Sequence, residues 1–432
     1  MFVTFNNSAG ILVPVRLAKT PETDHVFPMH RVLGLTDNPE ALLSAHKGSL
    51  DLLQFDYLHD QSYIDQPALL LTVIYENQHQ RCVMAPHGDY QFEDMSLDAI
   101  SDKMNLPVLD FRTAIALAAH PVEKPWGKEI WYTGIEQRGV CTMGGVPIPW
   151  VLDCFGQLLS GSHYAPPILL KILEPLAQDV IGDLYFEAHA HKTEVYIVTA
   201  IDKDAWPDGI GKIRFGFNDS KKGQFPKTEA FAKAYLQAVE AYREVRSTID
   251  QSDQADQKLR SREVELRAEM ESFTSLRDLR VGDVVQVPPL TPHSLLHGVT
   301  VVEFQTPHYE RYILSFAQKV LTQDHWDTET ALPLLNFATD IPLCTIANDI
   351  IANFEDFSVT RKKLAPGESL AVEGQRYGIV MPIIGEVTLA NTTAVSGSAF
   401  YLPACSDCII RNEGSTDSMV LLAMPSQEGN RL

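Results

Sequence analysis

The segment Glu187-Ala188-His189-Ala190-His191-Lys192-Thr193-Glu194 constrains this chain more than any other. In an extended strand, residues i, i+2 and i+4 share one face. Glu187, His189 and His191 are therefore expected to project together, with two small alanines on the opposite face. The run continues into Val195-Tyr-Ile-Val-Thr-Ala, whose β-branched and aromatic content reads as more of the same strand. About a hundred residues later, Gly282-Asp-Val-Val-Gln-Val-Pro-Pro leads to Thr291-Pro292-His293. Imidazole nitrogen and carboxylate oxygen suit borderline and harder divalent ions. Glu187, His189, His191, Glu194 and His293 are thus candidate ligands of a divalent metal, Zn first and Fe or Mn next.

Composition narrows the function classes. The chain has 432 residues, ample for two or three domains with sizeable cores. Its formal net charge of −21 argues against a broad face for nucleic acid or an acidic membrane, because phosphates attract cationic surfaces. A small cationic pocket for a phosphorylated metabolite remains compatible with that charge. Six cysteines make no disulfide framework, and Cys405-Ser-Asp-Cys408 is a lone pair with no second to complete a zinc site. The N-terminus lacks the basic start and apolar run of a signal peptide, and no run of about 18 apolar residues occurs. The expected location is cytoplasmic.

The chain reads in three parts: residues 1–115 as a mixed α/β segment, 116–330 as a metal-binding β domain, and 331–432 as a β section without histidine. Within the first, Ala68–Tyr75 reads as a buried strand and Leu97–Met104 as a short helix. Within the second, strands are expected around Gly127, Ile168, Lys212 and Val299. Between them, residues 226–278 read as a helical insertion, with Phe231, Tyr235, Val239 and Tyr242 at helical spacing. In the third, Ala365-Pro-Gly-Glu, Ile384-Gly-Glu-Val and Val395-Ser-Gly-Ser carry turn signals at the spacing of a sandwich or jelly roll.

The two-part pattern resembles the cupin signature. Gly182 precedes His189, His191 and Glu194, while Gly282, Pro288 and His293 stand for the second half. A closer resemblance is to type I mannose-6-phosphate isomerases, which are metal-dependent cupins. Trp126-Gly127, Pro167-Ile-Leu-Leu-Lys171-Ile-Leu, Lys192-Thr-Glu194, Phe215-Gly-Phe, Gly282-Asp to His293, Glu303-Phe-Gln305 and Arg311 follow that family's order over roughly residues 120–320. Two positions depart from it. Tyr185 stands for the serine that helps bind the substrate phosphate, and Glu187 for a neutral or basic residue.

The resemblance implies a mainly β fold: a cupin jelly-roll barrel with a helical insertion and a second degenerate C-terminal β jelly-roll, to which residues 1–115, outside the resemblance, add a mixed α/β N-terminal segment. It implies a metal-dependent aldose–ketose isomerase acting on a sugar phosphate through an enediol. The alternatives are another metal-dependent cupin enzyme, such as a dioxygenase or epimerase, or a non-catalytic sugar-binding cupin. The expected partner is a small-molecule sugar or sugar phosphate, with neither nucleic acid nor membrane. Two ligand sets stay open: His189, His191, Glu194 and His293 as in ordinary cupins, or Glu187, His189, Glu194 and His293 as in the isomerases. Arg311 and Lys192 are the expected catalytic residues, with Lys171, His297 and Glu303 as substrate-binding candidates.

Overall fold

A computed structural model describes residues 13–14, 30–92, 95–161, 167–251, 256–320, 323, 325–338, 349–372, 375–389, 392–404 and 406–426. Cys405 lies outside these, so the Cys405–Cys408 pair has no structural account; Cys408 is a buried free thiol. The chain folds as two compact units, one made of residues 121–131 and 168–354, the other of 1–120, 132–167 and 355–432. These boundaries do not follow a simple succession along the chain, because residues 132–167 belong with both flanking stretches.

The unit containing the histidines is a pair of antiparallel sheets. One runs in the order Val284–Val287, Glu194–Ile201, Val299–Gln305, Leu169–Pro175, Gly127–Trp131 and His120–Lys124. The other runs Thr274–Leu279, Gly211–Phe217, His293–Leu295, Phe186–Ala188 and Tyr312–Ser315. Alternate residues of both sheets meet in one core, with Leu173, Tyr196, Val198 and Val301 from the first packed against Ile213, Phe215, Leu295 and Ile313 from the second. Two glycines of the sequence motifs are explained by close approach. Gly127 has φ +147°, and a Cβ there would lie 2.3 Å from the Glu174 carbonyl oxygen. A Cβ on Gly182 would lie 1.9 Å from the Leu176 carbonyl oxygen.

The run from Glu187 to Ala200 is not one strand, which corrects the sequence reading. Phe186–Ala188 belongs to the second sheet and Glu194–Ile201 to the first. Residues 189–193 cross between them, so the alternation that would align His191 with His189 ends before it reaches that residue.

The helical insertion is a pair of helices, Thr228–Asp250 and Gln257–Glu271. The expected stripe of Phe231, Tyr235, Val239 and Tyr242 is fully buried, packed with Phe217, Phe273 and Leu314. Burying such side chains contributes roughly 1.5–3 kcal/mol each. The second helix is charged nearly all round and buries only Leu266 and Met270. It rests on the first rather than on its own amphipathicity.

In the other unit, six strands run in the order Val13–Pro14, His30–Thr36, Leu52–His59, Leu69–Glu76, Arg81–Pro86 and Leu109–Asp110. Helix Leu97–Met104 is capped by the Ser96 side chain, which accepts from the Ala99 amide. The C-terminal β section forms two sheets. Ser369–Val372, Cys408–Arg411, Glu386–Leu389 and Thr392–Val395 make one of them. Phe357–Leu364, Ser418–Pro425, Gly378–Ile384 and Ala399–Leu402 lie side by side in the other, which Ile115–Leu117 extends. Val372, Leu389 and Ile410 from the first meet Leu364, Val380, Phe400 and Leu422 from the second in a single core. Among the described residues, no helix is long and apolar enough to cross a membrane.

Candidate metal centre and active site

Strand register assembles the site. Glu187 pairs with His293, which also pairs with Phe215, so one carboxylate and one imidazole stand side by side in the second sheet. On the first sheet, Glu194 pairs with Gln305. The crossing segment brings His189 between them. One ligand atom each from Glu187, His189 and His293 lies within 4.8 Å of the others. Glu194 Oε1 joins them, 2.9 Å from His293 Nε2 and 3.5 Å from His189 Nε2. His189 Nε2 is also 3.5 Å from Glu187 Oε1.

The imidazoles are oriented by their far nitrogens. The Nδ1–H of His189 donates to the Glu310 carbonyl at 2.7 Å, and that of His293 to the Thr291 carbonyl at 3.0 Å. In the neutral rings this leaves the Nε2 lone pairs facing carboxylate oxygens. His189 Nε2, His293 Nε2, Glu194 Oε1 and Glu187 Oε2 are buried without a hydrogen-bond partner. Buried acceptors facing acceptors are costly unless a cation stands between them. Two imidazoles and two carboxylates are a donor set that fits Zn, Fe or Mn.

Behind this cluster, acidic and basic side chains alternate across the first sheet. Lys192 Nζ lies 2.9 Å from Glu194 Oε2 and 4.0 Å from Glu303 Oε1. Lys171 Nζ lies 3.2 Å from Glu303 Oε1, its cross-strand partner. Glu129 receives Lys124 at 3.3 Å and the Trp131 indole N–H at 2.6 Å. Lys124 and Lys171 both approach the Trp131 ring, at 5.9 and 5.8 Å. On the other side, Arg311 sits 3.9 Å from Glu187 Oε2, with its guanidinium 5.0 Å from the centre of the Tyr185 ring.

Burial acts most strongly on Glu303, Glu194 and Glu187, and neighbours decide the outcome. It pushes the Glu303 carboxyl up, aided by adjacent Glu194 and opposed by Lys171 and Lys192. For Glu194, burial is outweighed by Lys192, His293 and His189, which hold its carboxyl well below the usual range. For Glu187, it is outweighed by His189, Arg311 and Lys192, and the carboxyl again falls. The pocket thus sets an ionised Glu194 beside a Glu303 whose carboxyl is raised to about 7, a division of roles suited to proton exchange.

His191 and His297 are not brought into the cluster. His191 is exposed, its ring facing His308 at 6.2 Å. His297 is buried, but its Nδ1 lies 2.7 Å from Asp183 and its ring stacks on Trp206 at 4.7 Å. The sequence reading missed Lys124, Glu129 and Glu310. Lys124 and Glu129 stand beside other charged residues in short mixed strands, so no local pattern singles them out. Glu310 acts through loop geometry and carries no such pattern either.

A β-rich, cupin-like fold with a metal-type cluster between its sheets is the class that these features define. Solved structures similar to this chain are mannose-6-phosphate isomerases. One is the enzyme from Bacillus subtilis, 15% identical, with a TM-score of 0.51 over 72% of this chain and 99% of that one. Another is a phosphomannose isomerase mutant from Salmonella typhimurium, 12% identical, with a TM-score of 0.53 over 72% and 99%. A third is a mannose 6-phosphate isomerase bound with zinc and yttrium, 13% identical, with a TM-score of 0.53 over 73% and 100%. No family model and no curated protein matches the chain.

Proposed function

We propose that this protein is a metal-dependent aldose–ketose isomerase acting on a sugar phosphate, with Glu187, His189, Glu194 and His293 as its metal ligands. The observation that carries the reading is the convergence of buried, partnerless lone pairs on His189 Nε2, His293 Nε2, Glu194 Oε1 and Glu187 Oε2. Of the two ligand sets open from the sequence, the exposure of His191 supports this one. A divalent ion bound there supplies Lewis acidity toward the carbonyl and hydroxyl oxygens of an open-chain sugar. Interconversion then needs one proton moved between C1 and C2 and a second moved between their oxygens. Glu303, with its raised carboxyl, and Lys192 beside it are the pair we assign to the transfer between the carbons. Lys171 holds Glu303 and lines the same wall. Arg311 offsets negative charge on the enediolate or on the substrate's phosphate.

The test is metal analysis followed by an aldose–ketose interconversion assay on sugar phosphates and on the matching free sugars, with His293→Ala and Arg311→Ala alongside. Bound metal lost with His293, together with turnover of a sugar phosphate, is the expected result. Full activity after loss of both metal and His293 sinks the ligand assignment. Metal bound without turnover of any aldose or ketose sinks the isomerase reading and favours another cupin chemistry.

A further inference from the structure

The segment that crosses between the sheets, residues 189–193, carries His189 at one end and delivers Lys192 and Glu194 at the other. It has no regular hydrogen-bonded structure of its own. Something must hold it if the ligands are to converge, because an untethered loop spreads over many conformations. Glu310 contributes three contacts to it. Its carbonyl accepts the Nδ1–H of His189 at 2.7 Å. Its carboxylate oxygen Oε1 accepts the amides of His191 at 2.8 Å and Lys192 at 3.1 Å. Thr306 adds a clip nearby, exchanging bonds with Thr193 at 3.0 and 3.1 Å. The residue after Glu310 is Arg311, which faces Glu187.

We propose that Glu310 is a positioning residue for the metal centre, fastening the crossing segment so that His189, Lys192 and Glu194 converge. This rests on the ligand assignment above. The carboxylate turns the amides of His191 and Lys192 toward itself, and this leaves the His191 ring outside while the Lys192 side chain turns inward to Glu194. The carbonyl selects the His189 tautomer whose Nε2 lone pair faces the cluster. Outer partners of this kind typically change metal affinity by about 10–100-fold when lost.

Because both amides use the same oxygen, reach matters more than charge. Glu310→Gln keeps an acceptor at that distance without the charge, whereas Glu310→Asp keeps the charge and falls short by one methylene. Zn2+ affinity of the full chain is measured by competition with a chromogenic chelator. The visible spectrum of the Co2+-loaded protein reports ligand geometry, and thermal unfolding of the metal-free protein reports folding. The expected order of affinity is wild type and Glu310→Gln together, then Glu310→Asp and Glu310→Ala about 10–100-fold weaker. The Co2+ spectrum should shift only in the weaker pair. Wild-type affinity and spectrum in Glu310→Ala overturn the proposal. So does a weak Gln variant beside an intact Asp variant, which would assign the effect to charge. His293→Ala is the control: if it too leaves affinity unchanged, the ligand assignment fails. If it alone abolishes binding, only the role of Glu310 falls. Should Glu310→Ala not fold, the Gln–Asp contrast decides.

Discussion

Glu194 Oε1 and His293 Nε2 stand 2.9 Å apart, brought together from different sheets. Neither atom has a hydrogen-bond partner. Such a pair holds together without a metal only if a proton is shared, and Glu194 and Glu187 accordingly push the His293 imidazole up against the effect of burial. A divalent ion replaces that proton and satisfies both lone pairs. Metal should therefore stabilise the fold by linkage, by about 2.7 kcal/mol at a free concentration of 100 times its Kd. Thermal unfolding with and without added Zn2+ checks this, and chelation should reverse the shift. In Glu194→Gln the metal-induced shift should largely vanish, because an amide donates less charge to the ion.

Lys171 and Glu303 face each other across neighbouring strands at 3.2 Å, both deeply buried. Replacing Lys171 by Met removes the cation nearest to Glu303 and one that also acts on Glu129. The expected cost is about 3–5 kcal/mol in urea unfolding, since a buried charge loses its partner. Lys171→Met with Glu303→Gln should recover part of that loss, leaving a coupling of about 1–3 kcal/mol. Strict additivity of the two changes would show that the pair does not interact.

Much of the cluster was legible in the sequence, for identifiable reasons. His189, Glu194 and His293 are flagged by spacing and by flanking strand and turn signals, which are local. His191 fits the same period-two rule, and it fails because Ala188 is the last residue of its strand. Nothing local announces a change of sheet inside a run of alternating residues. The Lys124–Glu129–Lys171–Glu303 array is equally hidden, because opposite charges become neighbours only through cross-strand register. The unit boundaries depend on residues 132–167 returning to the flanking stretches, a long-range property that composition does not carry.

His297 and Asp183 form a second buried acid–base pair at 2.7 Å, with Arg214 3.5 Å from the other Asp183 oxygen. Burial lowers the imidazole pKa, yet Asp183 and Asp179 raise it above the ordinary 6.5. Burial raises the Asp183 carboxyl, while His297 and Arg214 bring it below 3.8. The sign follows from linkage. The histidine's contribution is full below pH 6.5 and is lost as pH rises through its raised native pKa. The aspartate's is present above pH 3.8 and is lost as pH falls through its lowered one. Asp183→Asn should therefore cost about 1.5–3 kcal/mol near pH 6 and less near pH 9. Urea unfolding at the two pH values checks it, and a cost independent of pH would refute the ionic account.

Tyr235 anchors the helical insertion. It is fully buried between Phe217 and Phe273, with ring centres 5.4 and 5.6 Å away, and its hydroxyl reaches Ser315 Oγ at 3.3 Å. Val264, on the second helix, is 52% exposed. Two substitutions, one in each helix of the insertion, should then separate sharply. Tyr235→Ala removes a large side chain from a packed aromatic cluster and should cost about 3–5 kcal/mol. Val264→Ser should change stability by no more than about 0.5 kcal/mol. Ser315 ends the strand Tyr312–Ser315, which pairs with the strand bearing Glu187. Loss of Tyr235 should consequently weaken metal affinity as well as stability, while Val264→Ser leaves both unchanged. Chelator competition on the two variants separates the cases. Unaltered affinity in a folded Tyr235→Ala protein would show that the insertion supports the barrel without steadying its ligands.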